Sequence, residues 1–171
     1  ECQNLGAGKD GGAEFHERTL CSAETLVTNC GSSEKTTCVA DEDEVYFLDT
    51  CGNLANIYDS SKVDEPGYWT NIKGRDESCN SASGNINSPS CGSCNYLLGS
   101  TCQAFERGET ARPTFGDNIC KDLGCEWRGE DYSHGETWCQ TSTDTRKGEN
   151  LPGTEHFRLV CYNNEVTVEA C

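Results

Sequence analysis

The sequence predicts a mainly β, disulfide-rich protein: small β-sheet domain or domains with hairpins, short helical turns and long loops. The 171-residue chain contains 14 cysteines, about 8% of its residues, which is a density typical of disulfide scaffolds. Its β-rich runs are short and are separated by turn residues, including 18 glycines. Only 34% of the residues are hydrophobic, so we expect disulfides to compensate for a small core by restricting the unfolded chain.

An even number of cysteines allows every thiol to pair, although the sequence leaves the pairing open and does not distinguish bridges within a chain from bridges between chains. Such bridges persist in oxidising compartments, so the chain is expected to be extracellular or at the cell surface. The alternative, a cytosolic zinc protein, lacks a ligand set, because the chain has one CxxC pair and no HxxxH to complete a site. The disulfide candidates are Cys2, Cys21, Cys30, Cys38, Cys51, Cys79, Cys91, Cys94, Cys102, Cys120, Cys125, Cys139, Cys161 and Cys171.

The charge of the chain restricts its partners. Its net charge is −16 and its sequence pI is about 4.4. Nucleic acid is not an expected partner, because backbone binding needs a basic surface. No apolar run is long enough for insertion into a membrane. We expect self-association or binding to other cell-surface proteins. With neither an initiating Met nor a signal peptide, the chain is expected to be a processed or excerpted part of a longer secreted precursor.

Composition divides the chain into four stretches. Residues 1–20 are predicted to be a polar, glycine-rich N-terminal arm that Cys2 anchors. Residues 21–102 are predicted to be a cysteine-rich β subdomain, and residues 103–118 a linker or surface loop. Residues 119–171 are predicted to be a cysteine-rich β-hairpin subdomain, which either stands alone or forms one domain with residues 21–102.

Short elements are predicted in the first two stretches. Residues 15–20 (FHERTL) could be a strand that completes a sheet, either in the same chain or in a neighbouring subunit. Residues 25–28 (TLVT) are strand-like, and Val45–Leu48 is predicted to be a buried strand. Tyr96–Leu98 is expected to begin a short helix.

Two further elements are predicted between residues 120 and 140. Residues 120–125 are expected to form a helical turn that a glycine ends. Residues 126–128 and 136–140 are predicted to pair as a hairpin around the loop 129–135.

The end of the chain shows the clearest local pattern. Residues 157–162 and 165–171 are two β-rich runs separated by Asn163 and Asn164, and Asn tolerates the positive φ of a two-residue hairpin turn. The valines of the second run alternate with polar residues, which predicts a strand with one apolar face and one solvated face. The sequence therefore predicts a terminal β-hairpin.

An acidic cluster suggests a Ca²⁺ site. Asp41, Glu42, Asp43, Glu44 and Asp49 are the candidate ligands, because hard cations bind clustered carboxylate oxygens. The alternative is a solvated acidic turn, since the spacing does not match an EF-hand loop. No other cofactor is expected.

Three aromatic residues suggest a carbohydrate site. Tyr58, Tyr68 and Trp69 lie in a loop-rich stretch and could stack on a sugar ring. The alternative, which we favour, is that they form the core of a small disulfide protein.

No residue is assigned a catalytic role. Cys91 and Cys94 could form a redox pair, but no strand before them and no substantial helix after them is predicted. His16, His134 and His156 have no ligand-spaced histidine partner. No nucleophile, phosphate-binding or metalloprotease signature occurs. A glycosidase-like pair among the many carboxylates keeps a secreted hydrolase as an alternative.

Four segments together resemble a known group of proteins. They are EVYFLDTCGNLANIYDSSKVDEPGYWTNI (residues 44–72), SCGSCNYLLGSTC (90–102), GCEWRGEDYSHGETWC (124–139) and GTEHFRLVCYNNEVTVEAC (153–171). In this order they resemble uncharacterised cysteine-rich secreted or cell-surface proteins of DPANN-group archaea. The resemblance implies secretion, an archaeal source and disulfide pairing. It implies no catalytic or binding residues.

The function expected from the sequence is that of a non-enzymatic extracellular structural protein. It would be a cell-surface or adhesion module, or a pilus-like filament subunit, stabilised by disulfides. The cysteine density, the missing reaction signatures and the tethered arm favour this interpretation. The alternatives are a Ca²⁺- or carbohydrate-binding surface module and a secreted hydrolase that uses acidic residues.

Overall fold

The computed structural model describes residues 16–79, 83–108, 111–141 and 155–170. Within them the protein is mainly β, as predicted, with short antiparallel strands, 3₁₀ turns and long loops. The strands form one three-stranded sheet in the order β1-β2-β3, a second in the order β10-β9-β8, and the pairs β4-β5 and β6-β7. Their bounds are β1 Thr36–Cys38, β2 Val45–Leu48, β3 Leu54–Ile57, β4 Ser100–Ala104, β5 Asn118–Asp122, β6 Cys125–Trp127, β7 Glu130–Tyr132, β8 Thr137–Thr141, β9 His156–Tyr162 and β10 Glu165–Ala170. The 3₁₀ turns span Glu24–Leu26, Ser60–Lys62, Pro66–Trp69, Arg75–Glu77 and Tyr96–Leu98.

The core lies around β2, the central strand of the first sheet, which confirms the predicted buried strand. Alternation along β2 directs Val45 and Phe47 to the same face, and both are fully buried. The Phe47 ring meets Tyr58 edge-on at 5.2 Å between centroids and Trp69 at 5.1 Å. Three disulfide-bonded cysteines, Cys94, Cys102 and Cys120, are buried in the same cluster.

The β4-β5 hairpin is bound to this core. Cys102 of β4 lies opposite Cys120 of β5, and each forms a disulfide with a segment outside the hairpin. Residues 103–118, predicted to be a linker or surface loop, contain the end of β4, the first residue of β5 and the connection between these two paired strands. The helical turn predicted for residues 120–125 is wrong, because pairing with β4 holds the first three of these residues in β5.

The end of the N-terminal arm pairs with its own chain. Leu20 N donates to Thr70 O at 2.9 Å and Ile72 N donates to Arg18 O at 3.0 Å, while Leu20 is buried in the core. Residues 15–20 were predicted to pair either within the same chain or with a neighbouring subunit, and residues 16–20 pair within the same chain. Residues 1–15 lie outside the described residues.

The strand predicted for residues 25–28 is wrong. Glu24–Leu26 is a 3₁₀ turn closed by hydrogen bonds from Leu26 N to Ala23 O at 3.0 Å and from Val27 N to Glu24 O at 3.1 Å. Val27 has a φ of 53° and is 90% exposed. β-branched residues favour strands mainly through packing and pairing, which this segment lacks.

The terminal hairpin is confirmed. β9 and β10 pair around Asn163 and Asn164, whose φ values of 51° and 64° are those of a type I′ turn. The second predicted hairpin is wrong in its pairing. β6 pairs with β7 across a turn at Arg128 and Gly129, both of positive φ, and β8 pairs with β9 instead.

Candidate functional site

Five disulfides bind the described chain together. They are Cys30–Cys51, Cys38–Cys102, Cys79–Cys91, Cys94–Cys120 and Cys125–Cys161. Among the remaining candidates, Cys21 is half-buried, and Cys139 is exposed and forms no disulfide with a described residue. Cys2 and Cys171 lie outside the described residues. Ten of the fourteen candidates are thus paired among the described residues, and the bridges indicate an oxidising environment.

The CxxC sequence is not a redox pair. Cys91 pairs with Cys79, whereas Cys94 pairs with Cys120. The segment between them passes close to the core, since Val45 N donates to Gly92 O at 2.8 Å and Gly92 N donates to Tyr58 O at 2.7 Å. Both thiols of the sequence pair are therefore committed to separate cross-links.

The acidic cluster is divided among separate contacts. Glu44 is buried and forms an ion pair with Arg75, and it also accepts a hydrogen bond from the Tyr46 hydroxyl at 3.4 Å. Asp43 accepts a hydrogen bond from Tyr96 N at 2.9 Å. Burial, followed by the negative charges of Glu44 and a neighbouring glutamate, raises the pKa of Tyr46 to about 12. The carboxylates of Asp43 and Glu44 are therefore held by contacts within the fold.

Asp49 has a similar structural role, and Asp41 and Glu42 are exposed. Asp49 is buried, and its two oxygens accept hydrogen bonds from Cys51 N at 2.9 Å, Asn53 N at 2.8 Å and Asn53 Nδ2 at 2.9 Å. The candidate Ca²⁺ ligands thus point to several different partners, and no three of them converge in the described part of the chain.

One grouping of potential ligands does occur, at Cys30, Asp49 and Cys51. It does not fit a metal, because the two cysteines form a disulfide and the aspartate is saturated by amides. The metal-site interpretation gains no support from this cluster.

The three aromatic candidates lie in the core, as the alternative interpretation predicted. Tyr58, Tyr68 and Trp69 are all buried. The Tyr58 hydroxyl donates to Pro89 O at 2.7 Å, and the Tyr68 hydroxyl donates to Ile57 O at 2.7 Å. Burial raises the pKa of Tyr68. Rings in this position offer no face to a sugar, so the carbohydrate site predicted at these residues is corrected.

A different aromatic cluster lies at the surface, where Tyr162 is exposed and Tyr96 and His134 are half-buried. Tyr96, His134 and Tyr162 meet at the surface, with ring centroids 4.7 Å apart for Tyr96 and His134 and 5.2 Å apart for His134 and Tyr162. Asn163 connects them, since it accepts a hydrogen bond from the Tyr96 hydroxyl at 2.9 Å and its N–H donates to His134 Nδ1 at 3.3 Å. Hydrogen bonding to Tyr162, followed by burial, raises the pKa of Tyr96.

This aromatic cluster borders a cavity of about 330 Å³. The cavity is lined by His134 of this cluster and by apolar and acidic side chains, among them Ile86, Leu97, Leu98, Asp122 and Asp131. Sequence analysis missed the cluster because its rings come from three distant segments, and no spacing along the chain connects them. The other two histidines, His16 and His156, are exposed.

The second surface feature is the sheet β8-β9-β10. Trp138 of β8 stacks on Tyr132 of β7, with 3.7 Å between ring centroids, and Leu159 of β9, which lies opposite Trp138 in the sheet, is buried. The disulfide Cys125–Cys161 attaches the β6-β7 hairpin to the same face. In the described residues, no strand pairs with the outer side of β8 or of β10.

The fold and the cross-links define the class as a small, disulfide-rich β protein. Comparisons of the chain with protein-family models, with curated proteins and with solved structures found no match. Within the described ranges, no helix has the length and apolar character needed to cross a membrane.

Proposed function

We propose that the chain is a non-enzymatic structural module of the extracellular cell surface, acting in adhesion or as a subunit of a filament. The observation that carries this proposal is the set of five disulfides, which cross-link β1, β4, β5, β6 and β9 and the loops around them. Cross-links restrict the unfolded chain, and so suit a protein that works outside the cell without chaperones or repair.

The positions of the reactive groups support a structural role. The CxxC thiols form separate disulfides, and the buried carboxylates Glu44 and Asp49 are held by Arg75 and by loop amides. A general acid or base needs a free proton position facing a substrate. Glu44 and Asp49 instead bind Arg75 and the backbone amides of a loop.

Surface labelling of intact source cells tests the location, and native mass measured with and without reductant tests assembly. We expect a membrane-impermeant amine reagent to label the chain without lysis, and native material to be larger than one chain. Labelling that requires lysis would contradict the proposal. Turnover of a glycan or peptide that one carboxylate substitution abolishes, with folding intact, would support the secreted hydrolase instead.

Carbohydrate binding is a second candidate function, and the surface cluster of Tyr96, His134 and Tyr162 favours it. Tyr162 is 52% exposed, and the neighbouring cavity offers the carboxylates Asp122 and Asp131 as acceptors for sugar hydroxyls. Aromatic rings that are apolar in the body and polar at the tip suit such surfaces. We expect Tyr162→Phe to retain binding on a glycan array and Tyr162→Ala to lose it. An array that is silent for the wild-type chain would exclude this function.

A further inference from the structure

The second sheet ends in an unpaired strand. β10 pairs with β9 on one side, and none of the described strands pairs with its other side. Val166, Val168 and Ala170 share the face that carries Leu159 of β9. Val168 is nevertheless 54% exposed, and Ala170 is exposed too. An edge strand of six residues that exposes backbone and apolar side chains is a template for another strand.

The hairpin determines which backbone groups of β10 face outward. Tyr162 and Glu165 close the two-residue turn and so form a hydrogen-bonded pair. Bonded and non-bonded pairs alternate along antiparallel strands, so the odd-numbered residues of β10 bond to β9. Cys161, opposite Val166, fits this alternation because its N–H donates to Glu136 O, on the side away from β10. The even-numbered residues of β10 therefore direct their N–H and C=O groups to the open edge.

The side chains of β10 select a register for pairing with a second β10. A twofold axis at Val168 sets Val168 opposite itself and Val166 opposite Ala170, so the apolar face continues into the partner. In this register the even-numbered residues form the hydrogen-bonded pairs, and Glu169 lies opposite Thr167. An axis at Thr167 would set the two glutamates of β10 directly opposite each other, which destabilises a pair of strands.

Charge is compatible with this register at close range. Arg158 of β9 forms an ion pair with Glu169, with 3.1 Å between Nε and Oε2, so the glutamate nearest the axis brings its own counter-charge. At long range the net charge of −16 on each chain opposes association. Salt screens this repulsion while leaving hydrogen bonds and apolar contact in place, so pairing should strengthen as ionic strength rises.

We propose that the outer edge of β10 is a self-association surface, on which a second copy of this chain pairs antiparallel about Val168 to form a continuous six-stranded sheet. This pairing rests on the proposed structural function and deepens it, because it names the surface through which the module assembles.

Sedimentation equilibrium of the full chain at low salt and at about 1 M salt, where the Debye length is ~3 Å, tests the pairing. We expect the wild type to reach twice the 18.6 kDa mass of one chain, more readily at high salt. Val168→Lys sets two like charges opposite each other and should raise the dissociation constant by about tenfold or more. Val27→Lys is the matched control, because Val27 is exposed in a turn outside the sheets and should leave the constant unchanged.

Mixing two variants tests the register. Val168→Glu alone should raise the dissociation constant as Val168→Lys does, whereas an equal mixture of Val168→Glu and Val168→Lys should dimerise, because each lysine then faces a glutamate. Unchanged near-ultraviolet circular dichroism would show that all variants keep the native fold.

Four outcomes would overturn the pairing. They are a wild type that stays monomeric at every salt concentration, a Val168→Lys variant that dimerises like the wild type, an equal loss in Val27→Lys, and a mixture that fails to recover. The last would favour a different strand at this edge, such as residues 1–15 of a neighbouring copy. None of these outcomes depends on surface labelling, so failure of the pairing and failure of the proposed function are distinguishable.

Discussion

The disulfides should differ in their contribution to stability according to the length of chain they enclose. Cys38–Cys102 joins residues 64 apart in sequence, whereas Cys79–Cys91 joins residues 12 apart. Loop-closure entropy assigns about 4 kcal/mol to the first and about 3 kcal/mol to the second. The other disulfides shorten the larger loop, but the dependence on length is logarithmic, so the order is preserved.

The perturbation is the paired replacement of both cysteines by alanine, which leaves no free thiol to exchange. We expect Cys38→Ala/Cys102→Ala to lose about 4 kcal/mol of unfolding free energy, and Cys79→Ala/Cys91→Ala to lose about 3 kcal/mol. Urea unfolding with linear extrapolation measures both losses. The slope of the unfolding free energy against urea concentration should also increase more for the first variant, because its unfolded chain becomes more expanded.

The second double variant is the matched control, since it removes the same atoms and one cross-link. Equal losses in the two variants, or a larger loss from the short loop, would refute the entropic reasoning. Such a result would mean that contacts of the sulfur atoms, rather than loop entropy, dominate the contribution of the disulfide to stability. One such contact joins Asn118 Nδ2 to Cys38 Sγ at 3.3 Å.

Three further predictions concern single side chains, each measured by the same urea unfolding. Tyr58→Phe should cost about 1–3 kcal/mol, because the Phe115 N–H loses its acceptor and the Pro89 carbonyl keeps only Thr114 N of its two donors; a neutral result would mean that water replaces the hydroxyl. Gly92→Ala should cost about 1–3 kcal/mol or more, because a Cβ there would lie 2.7 Å from the Val45 Cβ; wild-type stability would contradict this close approach. Glu44→Gln should cost about 1–3 kcal/mol by leaving Arg75 without its counter-charge, and the added mutation Arg75→Gln should recover part of the loss; no recovery would contradict a role for the pair.

Local signals were sufficient for some elements. Asn163 and Asn164 provide positive φ at two adjacent positions, so the terminal hairpin could be predicted from six or seven residues on each side. Val45–Leu48 could be predicted because its side chains are apolar enough to be buried whatever their partners. In both cases the physical cause lies within the segment itself.

Other elements depended on partners that are distant in sequence. β8 pairs with β9, which follows it after residues 142–155. The nearer partner predicted for β8 was residues 126–128, but residues 126 and 127 pair with β7 and Arg128 begins the turn between β6 and β7. The turn at Arg128 and Gly129 is a two-residue hairpin whose first residue is not a usual positive-φ type. The local sequence pattern therefore did not indicate that this short hairpin would form in place of the predicted pairing of residues 126–128 with residues 136–140.

The candidate site was least predictable, because adjacency in sequence does not show which atoms are already occupied. The carboxylates of Glu44 and Asp49 look like cation ligands until Arg75 and the amides of Asn53 are placed beside them. Cys91 and Cys94 look like a redox pair until the distant cysteines Cys79 and Cys120 are found bonded to them.

The distribution of the cross-links bears on how the module could assemble. Of the five disulfides between described residues, four lie between residues 30 and 120, and one, Cys125–Cys161, involves the second sheet. Cys161 lies opposite Val166, near the turn, so the outer half of β10 is supported by β9 and by no disulfide of the described residues. A strand with one partner and exposed valine gains both hydrogen bonds and apolar contact from a second partner. The cross-linked core can therefore keep the chain folded while the open edge remains available for assembly.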